Sequence, residues 1–164
     1  MIKQLWAPWR MEFVTKDKEK NNECVFCSLV KENSDTDNLI VHRTKYNFVI
    51  LNKYPYNNGH LMVVPFKHTH ELKDLSQEEI SELMQYGQHC VEALKEVYKA
   101  EGYNLGMNLG SAAGAGIKEH LHLHIVPRWN GDTNFMPVIA DVKAMPEHLQ
   151  KSFQNLKPFF GRLK

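Results

Sequence analysis

His120-Leu121-His122-Leu123-His124-Ile125-Val126-Pro127 alternates imidazole with aliphatic side chains. Alternation with a period of two belongs to a β-strand, in which successive side chains point to opposite faces. The three histidines then share one face, while Leu121, Leu123 and Ile125 turn toward a core. Same-face neighbours lie about 6.8 Å apart along an extended strand, so each imidazole needs its own role. Pro127 is expected to end the strand.

Working outward, Gly110-Ser-Ala-Ala-Gly-Ala-Gly116 is a loop whose glycines permit tight turns and close ligand approach. Residues 103–109 are a further strand candidate. Ser76-Gln77-Glu78-Glu79 has the form of a capping box and predicts a helix start. Ile80, Leu83, Met84, Val91, Leu94, Val97 and Tyr98 recur at three- and four-residue intervals and predict one buried helical stripe running toward Gly102. Leu39-Ile40-Val41 and Phe48-Val49-Ile50-Leu51 suit an antiparallel hairpin, Asn57-Asn58-Gly59 a turn, and Leu61-Met62-Val63-Val64 a third strand ending at Pro65. From Met145 onward, Leu149, Phe153, Leu156, Phe159 and Phe160 describe a short amphipathic helix. Strands joined by short links around one long helix predict an α+β fold with an antiparallel sheet.

The chain has 164 residues, 43% hydrophobic and 24% charged, which suits a single globular core. A formal net charge of +1 removes any global attraction to polyanions, so an anion site must be local, and neither nucleic acid nor membrane is an expected partner. No stretch has the roughly 18 consecutive apolar residues of a membrane span, and a soluble, cytoplasmic protein is expected. Residues 15–23 are charged and aperiodic, dividing an N-terminal arm (1–23, with Trp6 and Trp9 around Pro8) from a body (24–135) and a C-terminal helical tail (136–164). Arg10, Lys118, Arg128 and Lys143 are cations able to meet phosphates, although most such side chains are simply solvated.

Three cysteines make a poor disulfide framework, with Cys24 and Cys27 paired as C-x-x-C and Cys90 alone. The pair supplies two thiolates at a spacing suited to tetrahedral zinc, which needs two further ligands. His68, His70 and His120 are the candidates, and zinc held by them is structural, stiffening the histidine strand. Two reduced cysteines without metal are the plainer alternative. For the histidines, a neutral imidazole attacks phosphorus well when one ring nitrogen is held by an acceptor and the other lone pair is free. His122, in the middle, is best placed for this. Solvated surface histidines and a metal site built on His-x-His are the competing interpretations.

The run His120 to Val126 resembles the H-φ-H-φ-H-φ-φ signature of the histidine-triad (HIT) superfamily, continued by Pro127-Arg128-Trp129. Similarity extends through Leu51-Asn52, Asn58-Gly59-His60 and Val64-Pro65, covering most of residues 24–135. The segments Leu5-Trp6-Ala7-Pro8-Trp9-Arg10-Met11, Asn108-Leu-Gly-Ser-Ala-Ala-Gly114 and Arg128-Trp129-Asn-Gly-Asp132-Thr-Asn134-Phe135 are most similar to the diadenosine tetraphosphate phosphorylase and Fhit-like hydrolase branch. The resemblance implies a five-stranded antiparallel sheet, a homodimer and a nucleoside polyphosphate substrate cleaved through a nucleotidyl-His122 intermediate. It also implies that His120 and His124 flank the nucleophile with His124 on phosphate, that Asn52 binds ribose, and that Asn108 lies near the phosphates. The zinc ligands it implies are Cys24, Cys27, His68 and His120, favouring His68 over His70.

One departure concerns the acceptor. Many triad hydrolases place Gln and Ser or Thr four and three residues before the first histidine, where Gly116 and Ile117 stand here. Backbone amides of the loop around Gly114 and Gly116, with the Ser111 hydroxyl, are expected to replace those donors as an anion nest, and the bare position 116 leaves room for inorganic phosphate. A nucleotide-binding sensor with little turnover and a metal-dependent hydrolase using the triad as ligands are the alternative functions.

Overall fold

The β-branched and aromatic runs form five strands, β1 (Ile40–Arg43), β2 (Asn47–Leu51), β3 (Leu61–Pro65), β4 (Gly102–Gly106) and β5 (Leu123–Arg128), in a computed structural model that describes residues 23–32, 34–134, 139 and 143–163. The Trp6 and Trp9 arm lies outside the described residues. All pairings are antiparallel, in the order β1-β2-β3-β5-β4, so the histidine-bearing strand is clasped between β3 and β4. The expected α+β fold with a five-stranded antiparallel sheet is the observed one. None of the helices among the described residues is long and apolar enough to cross a membrane.

Among the described residues, three α-helices accompany the sheet: α1 (Val25–Lys31), α2 (Gln77–Tyr98) and α3 (Leu149–Phe160). The capping box is realised, with the Ser76 side chain accepting from the Glu79 amide and the Glu79 carboxylate accepting from the Ser76 amide. These two bonds satisfy amides that a helix N-terminus leaves orphaned. α2 buries Leu83, Gly87, Cys90, Ala93 and Leu94 against the sheet. Its small residues allow close approach: a Cβ at Gly87 would lie 3.2 Å from Leu123 Cδ2. Met84, assigned to the buried stripe from sequence, is instead 48% exposed, because the 83-87-90-94 row faces the sheet and position 84 falls off its edge. α3 lies on β1 and α2. Tyr98 and Ser152 donate hydroxyl hydrogen bonds to the Glu147 carboxylate just ahead of it.

Both boundaries of the histidine strand differ from the sequence reading, and the strand expected over 103–109 is confined to Gly102–Gly106. The histidine strand starts at Leu123 rather than His120, so His120 and His122 sit on the extended entry to β5, where the Leu121 amide donates to the Thr69 carbonyl at 2.7 Å. The strand also runs through Pro127, opposite Tyr103 of β4. Pro127 is tolerated because the Arg128 carbonyl accepts from Glu101 on the β4 side. Its own backbone therefore faces the other edge, where β3 pairing has stopped at Leu61 and Ile125 and no ladder donor is missed.

The turn before β3 depends on Gly59, with φ +77° and a position where a Cβ would meet Leu94 Cδ2 at 2.9 Å and Tyr98 at 3.1 Å. Gly59→Ala is expected to lower stability by about 2–3 kcal/mol, combining left-handed backbone strain with overpacking. A urea unfolding midpoint equal to that of the parent protein would contradict this account.

Candidate active site and metal centre

The entry to β5 carries the triad away from α2 and under α1, whose Phe26 ring lies 5.4 Å from His120 and 5.3 Å from His122 between centroids. All three triad rings are buried, at 2%, 6% and 8% exposure in chain order, which excludes the solvated-strand interpretation. The rings of His122 and His124 converge to 4.7 Å, closer than the spacing of an ideal extended strand, since His122 precedes the regular ladder.

Each ring has one nitrogen committed to a fixed partner, which sets what the other can do. His120 Nε2 lies 2.8 Å from the Pro65 carbonyl, an acceptor only, so this nitrogen carries the hydrogen. The bare His120 Nδ1 then faces Cys24 Sγ at 3.3 Å and Cys27 Sγ at 3.6 Å. His68 Nδ1 approaches Cys27 Sγ at 3.3 Å. The four donor atoms of Cys24, Cys27, His68 and His120 all lie within 4.8 Å of one another. Ligands on a tetrahedral zinc stand about 3.5 Å apart for metal–ligand bonds of 2.0–2.3 Å, so the cluster is able to hold such an ion. Cys24 and Cys27 are brought there by the N-terminus of α1, a helix not foreseen from sequence. His70 is exposed, with Nε2 3.6 Å from the Glu71 carboxylate, outside the cluster.

His122 Nδ1 donates to the carbonyl of His120 at 2.9 Å, leaving Nε2 with a free lone pair. This is the tautomer a nucleophilic imidazole requires. His124 is set through a residue left unassigned from sequence, His60. The Tyr56 amide donates to His60 Nδ1 at 3.1 Å, with Asn52 Nδ2 also near at 3.3 Å. His60 Nε2 must therefore carry the hydrogen, which it shares with His124 Nδ1 at 2.9 Å. His124 Nε2–H remains, buried and without a partner among the described residues. A histidine right after the Asn57-Asn58-Gly59 turn, facing a strand of histidines, was the available clue. Its pairing becomes visible only when β3 is laid against β5.

The turn bearing His60 is itself tied down. Asn57 Nδ2 donates to the Pro127 carbonyl at 2.9 Å and to Asp132 Oδ2 at 2.8 Å. Arg128 grips Asp132 through Nε at 2.6 Å and a terminal nitrogen at 2.9 Å, holding its carboxyl far below the usual range. Arg128 thus serves an internal ion pair. Of the other residues singled out from sequence, Asn52 turns its Oδ1 to the Tyr54 amide at 2.9 Å. Asn108 and His124 line a pocket of about 410 Å³ between β4, β5 and the Tyr56 turn. Ser111, Gly114 and Gly116 stand on an exposed loop outside that lining, and a Cβ at 116 would touch nothing within 4 Å.

Burial and its histidine neighbours push His60 down to about 3, and burial with His122 nearby pushes His124 down to about 4, against 6.5 for a free ring. Unfolding returns both rings to water, where each takes up a proton near pH 6.5. The unfolded chain therefore binds more protons below that value, and stability falls as the pH drops from about 6.5 toward 4. Both imidazoles are expected to keep neutral-ring NMR shifts at pH 5, with stability on the order of 4 kcal/mol lower than at pH 7, about half from each ring. A ring titrating near 6.5 in the folded protein would contradict the network.

The chain matches the HIT domain over residues 33–131. AP-4-A phosphorylase of Mycobacterium tuberculosis is 40% identical, covering 98% of this chain and 86% of that protein. A zinc-bound histidine triad family protein from Mycobacterium smegmatis superposes with a TM-score of 0.69 at 29% identity, covering 87% of this chain and 96% of that one. A hypothetical histidine triad nucleotide-binding protein from Sulfolobus tokodaii gives 0.65 at 30% identity, covering 84% and 89%. With the family's domain spanning more than half of its length and the triad set as described, this chain belongs to the HIT family.

Proposed function

We propose that the protein is a nucleotidyl transferase that cleaves a diadenosine polyphosphate, of the diadenosine tetraphosphate type, at an α-phosphate and passes the nucleotide to inorganic phosphate or water. The observation that carries this reading is His122, a buried neutral imidazole with Nδ1 bound to the His120 carbonyl and Nε2 free. The name of the M. tuberculosis relative supports the substrate class.

In the first step, the His122 Nε2 lone pair forms a bond to the α-phosphorus, and the bond to the bridging oxygen breaks with its electron pair leaving on the departing nucleotide. The His120 carbonyl, still accepting from Nδ1, stabilises the positive ring that results. His124 donates its Nε2–H to a phosphoryl oxygen. In the second step, an oxygen of phosphate or water attacks the same phosphorus, the N–P bond breaks with its electron pair returning to His122 Nε2 as the neutral ring, and an attacking water gives up its proton to solvent. Asn52 is assigned to the ribose and Asn108 to the phosphates. Ser111 with the amides around Gly114 and Gly116 is assigned to the anionic acceptor, consistent with the open space at position 116.

Cys24, Cys27, His68 and His120 are the proposed ligands of one structural zinc ion, the donor set and its spacing being the support. Bound there, zinc supplies cross-linking of α1, the segment after β3 and the entry to β5. A body over residues 24–135 with an arm (1–23) and a tail (136–164), acting as a cytoplasmic homodimer, completes the proposal.

Incubation with diadenosine tetraphosphate is expected to yield ATP and ADP with phosphate present, and ATP and AMP where water is the acceptor. His122→Asn should cut turnover by at least about 10⁴-fold while leaving dinucleotide affinity within threefold. Unchanged turnover would remove His122 from the chemistry, and absence of any product from the parent protein would favour a nucleotide-binding sensor.

Metal analysis should find zinc in the parent protein and little in Cys27→Ser, whose Tm should fall by about 10 °C, as loss of several kcal/mol of binding energy requires. Turnover surviving zinc removal, measured well below the new Tm, is the expected result. Complete loss of chemistry with the fold intact would instead support metal-dependent hydrolysis at the triad.

A further inference from the structure

The pocket of about 410 Å³ touches His124 but not His122. A substrate whose reacting phosphorus sits at His122 therefore reaches it only with the part that lies past His124. Its lining includes His124, only 8% exposed, whose buried Nε2 is without a partner among the described residues. A buried donor without an acceptor is destabilising, and His124 borders a space able to hold one. Farther out, Asn104 and Asn108 supply amides and Lys143 a positive charge.

Most of the lining is polar, but two large side chains in it stand exposed instead of packing into the core. Tyr56 is 54% exposed and Leu105 44% exposed, both lining this pocket. The Tyr56 ring is steadied by contact with His60 at 4.8 Å and His124 at 5.9 Å between centroids. An aromatic face held by buried rings and otherwise open is suited to stack a planar heterocycle. The volume lies within the 300–1,000 Å³ range of small-molecule sites.

We propose that this pocket binds the departing half of the substrate, a nucleoside polyphosphate whose base stacks on Tyr56 and whose phosphates lie along Asn104, Asn108 and Lys143. The departing half is the one that fits, because it carries the larger number of phosphates and receives the electron pair when the bridging bond breaks. The His124 Nε2–H meets that bridging oxygen or its neighbour. Tyr56 accordingly determines specificity for a second nucleoside over a small leaving group, and this inference rests on the reaction proposed above.

The test compares diadenosine tetraphosphate with the p-nitrophenyl ester of AMP, which has the same retained half and a small leaving group. Tyr56→Ala is expected to raise KM for the dinucleotide about tenfold and that for the ester less than threefold, and Tyr56→Phe to restore the dinucleotide value. An equal loss on both substrates would mean that Tyr56 acts only through His60, overturning the proposal, as would no loss on either. Equilibrium binding to His122→Asn gives a readout independent of turnover. There Tyr56→Ala should weaken diadenosine tetraphosphate about tenfold and leave AMP unchanged. If the parent protein cleaves neither substrate, the reaction is refuted, and this binding difference alone upholds or overturns the pocket.

Discussion

The hydrogen bond from His120 Nε2 to the Pro65 carbonyl, 2.8 Å long and fully buried, orients most of the site. It turns His120 so that Nδ1 faces the two cysteines, and it locks the segment whose carbonyl receives His122 Nδ1–H. One side chain thus joins the end of β3, the N-terminus of α1 and the nucleophile candidate. A ring free to flip would exchange donor and acceptor at both nitrogens, leaving the Pro65 carbonyl without a donor and the sulfurs facing an N–H.

The same economy governs the other half of the site. A buried ring with pKa far below neutrality has a single hydrogen to place, and its neighbours decide where. Backbone at Tyr56 decides for His60, His60 decides for His124, and His124 is left with a buried donor that no described residue accepts. Two histidines side by side in a low dielectric resist protonation together, so the relay holds one pattern over the neutral pH range. Its anchor is the Asp132 carboxylate, which receives Arg128 and Asn57 and thereby fixes the turn that carries His60.

The fold serves this arrangement by closing one face of the sheet with α2 and leaving the other for chemistry. Small residues on α2, Gly87 and Ala93 among them, let the helix lie close to Leu123, which pulls the odd-numbered side chains of β5 inward. The even-numbered ones then face α1 and the pocket. Only five residues of β4 lie on the far side of β5, with an increasingly exposed burial pattern, so the site is open along that edge.

Much of this was legible in the chain: the strands from their β-branched runs, the long helix from its capping box, and the nucleophile candidate from the His-Leu alternation, because these signals depend on neighbours a few residues apart. The zinc-ligand candidates were legible only as a set with His70 still in it until family resemblance chose His68. The exposure of Met84, the passage of β5 through Pro127, the short helix behind Cys24 and the role of His60 were not legible. Each depends on what lies across a gap of tens of residues: the sheet under α2, the end of β3, or the turn against β5. The sequence by itself determined which side chains alternate and which types are on hand for chemistry. Tertiary structure alone decided which nitrogen of each imidazole carries the hydrogen, because that choice is made by the partner brought against it, and the partners of His120 and His124 lie 55 and 64 residues away.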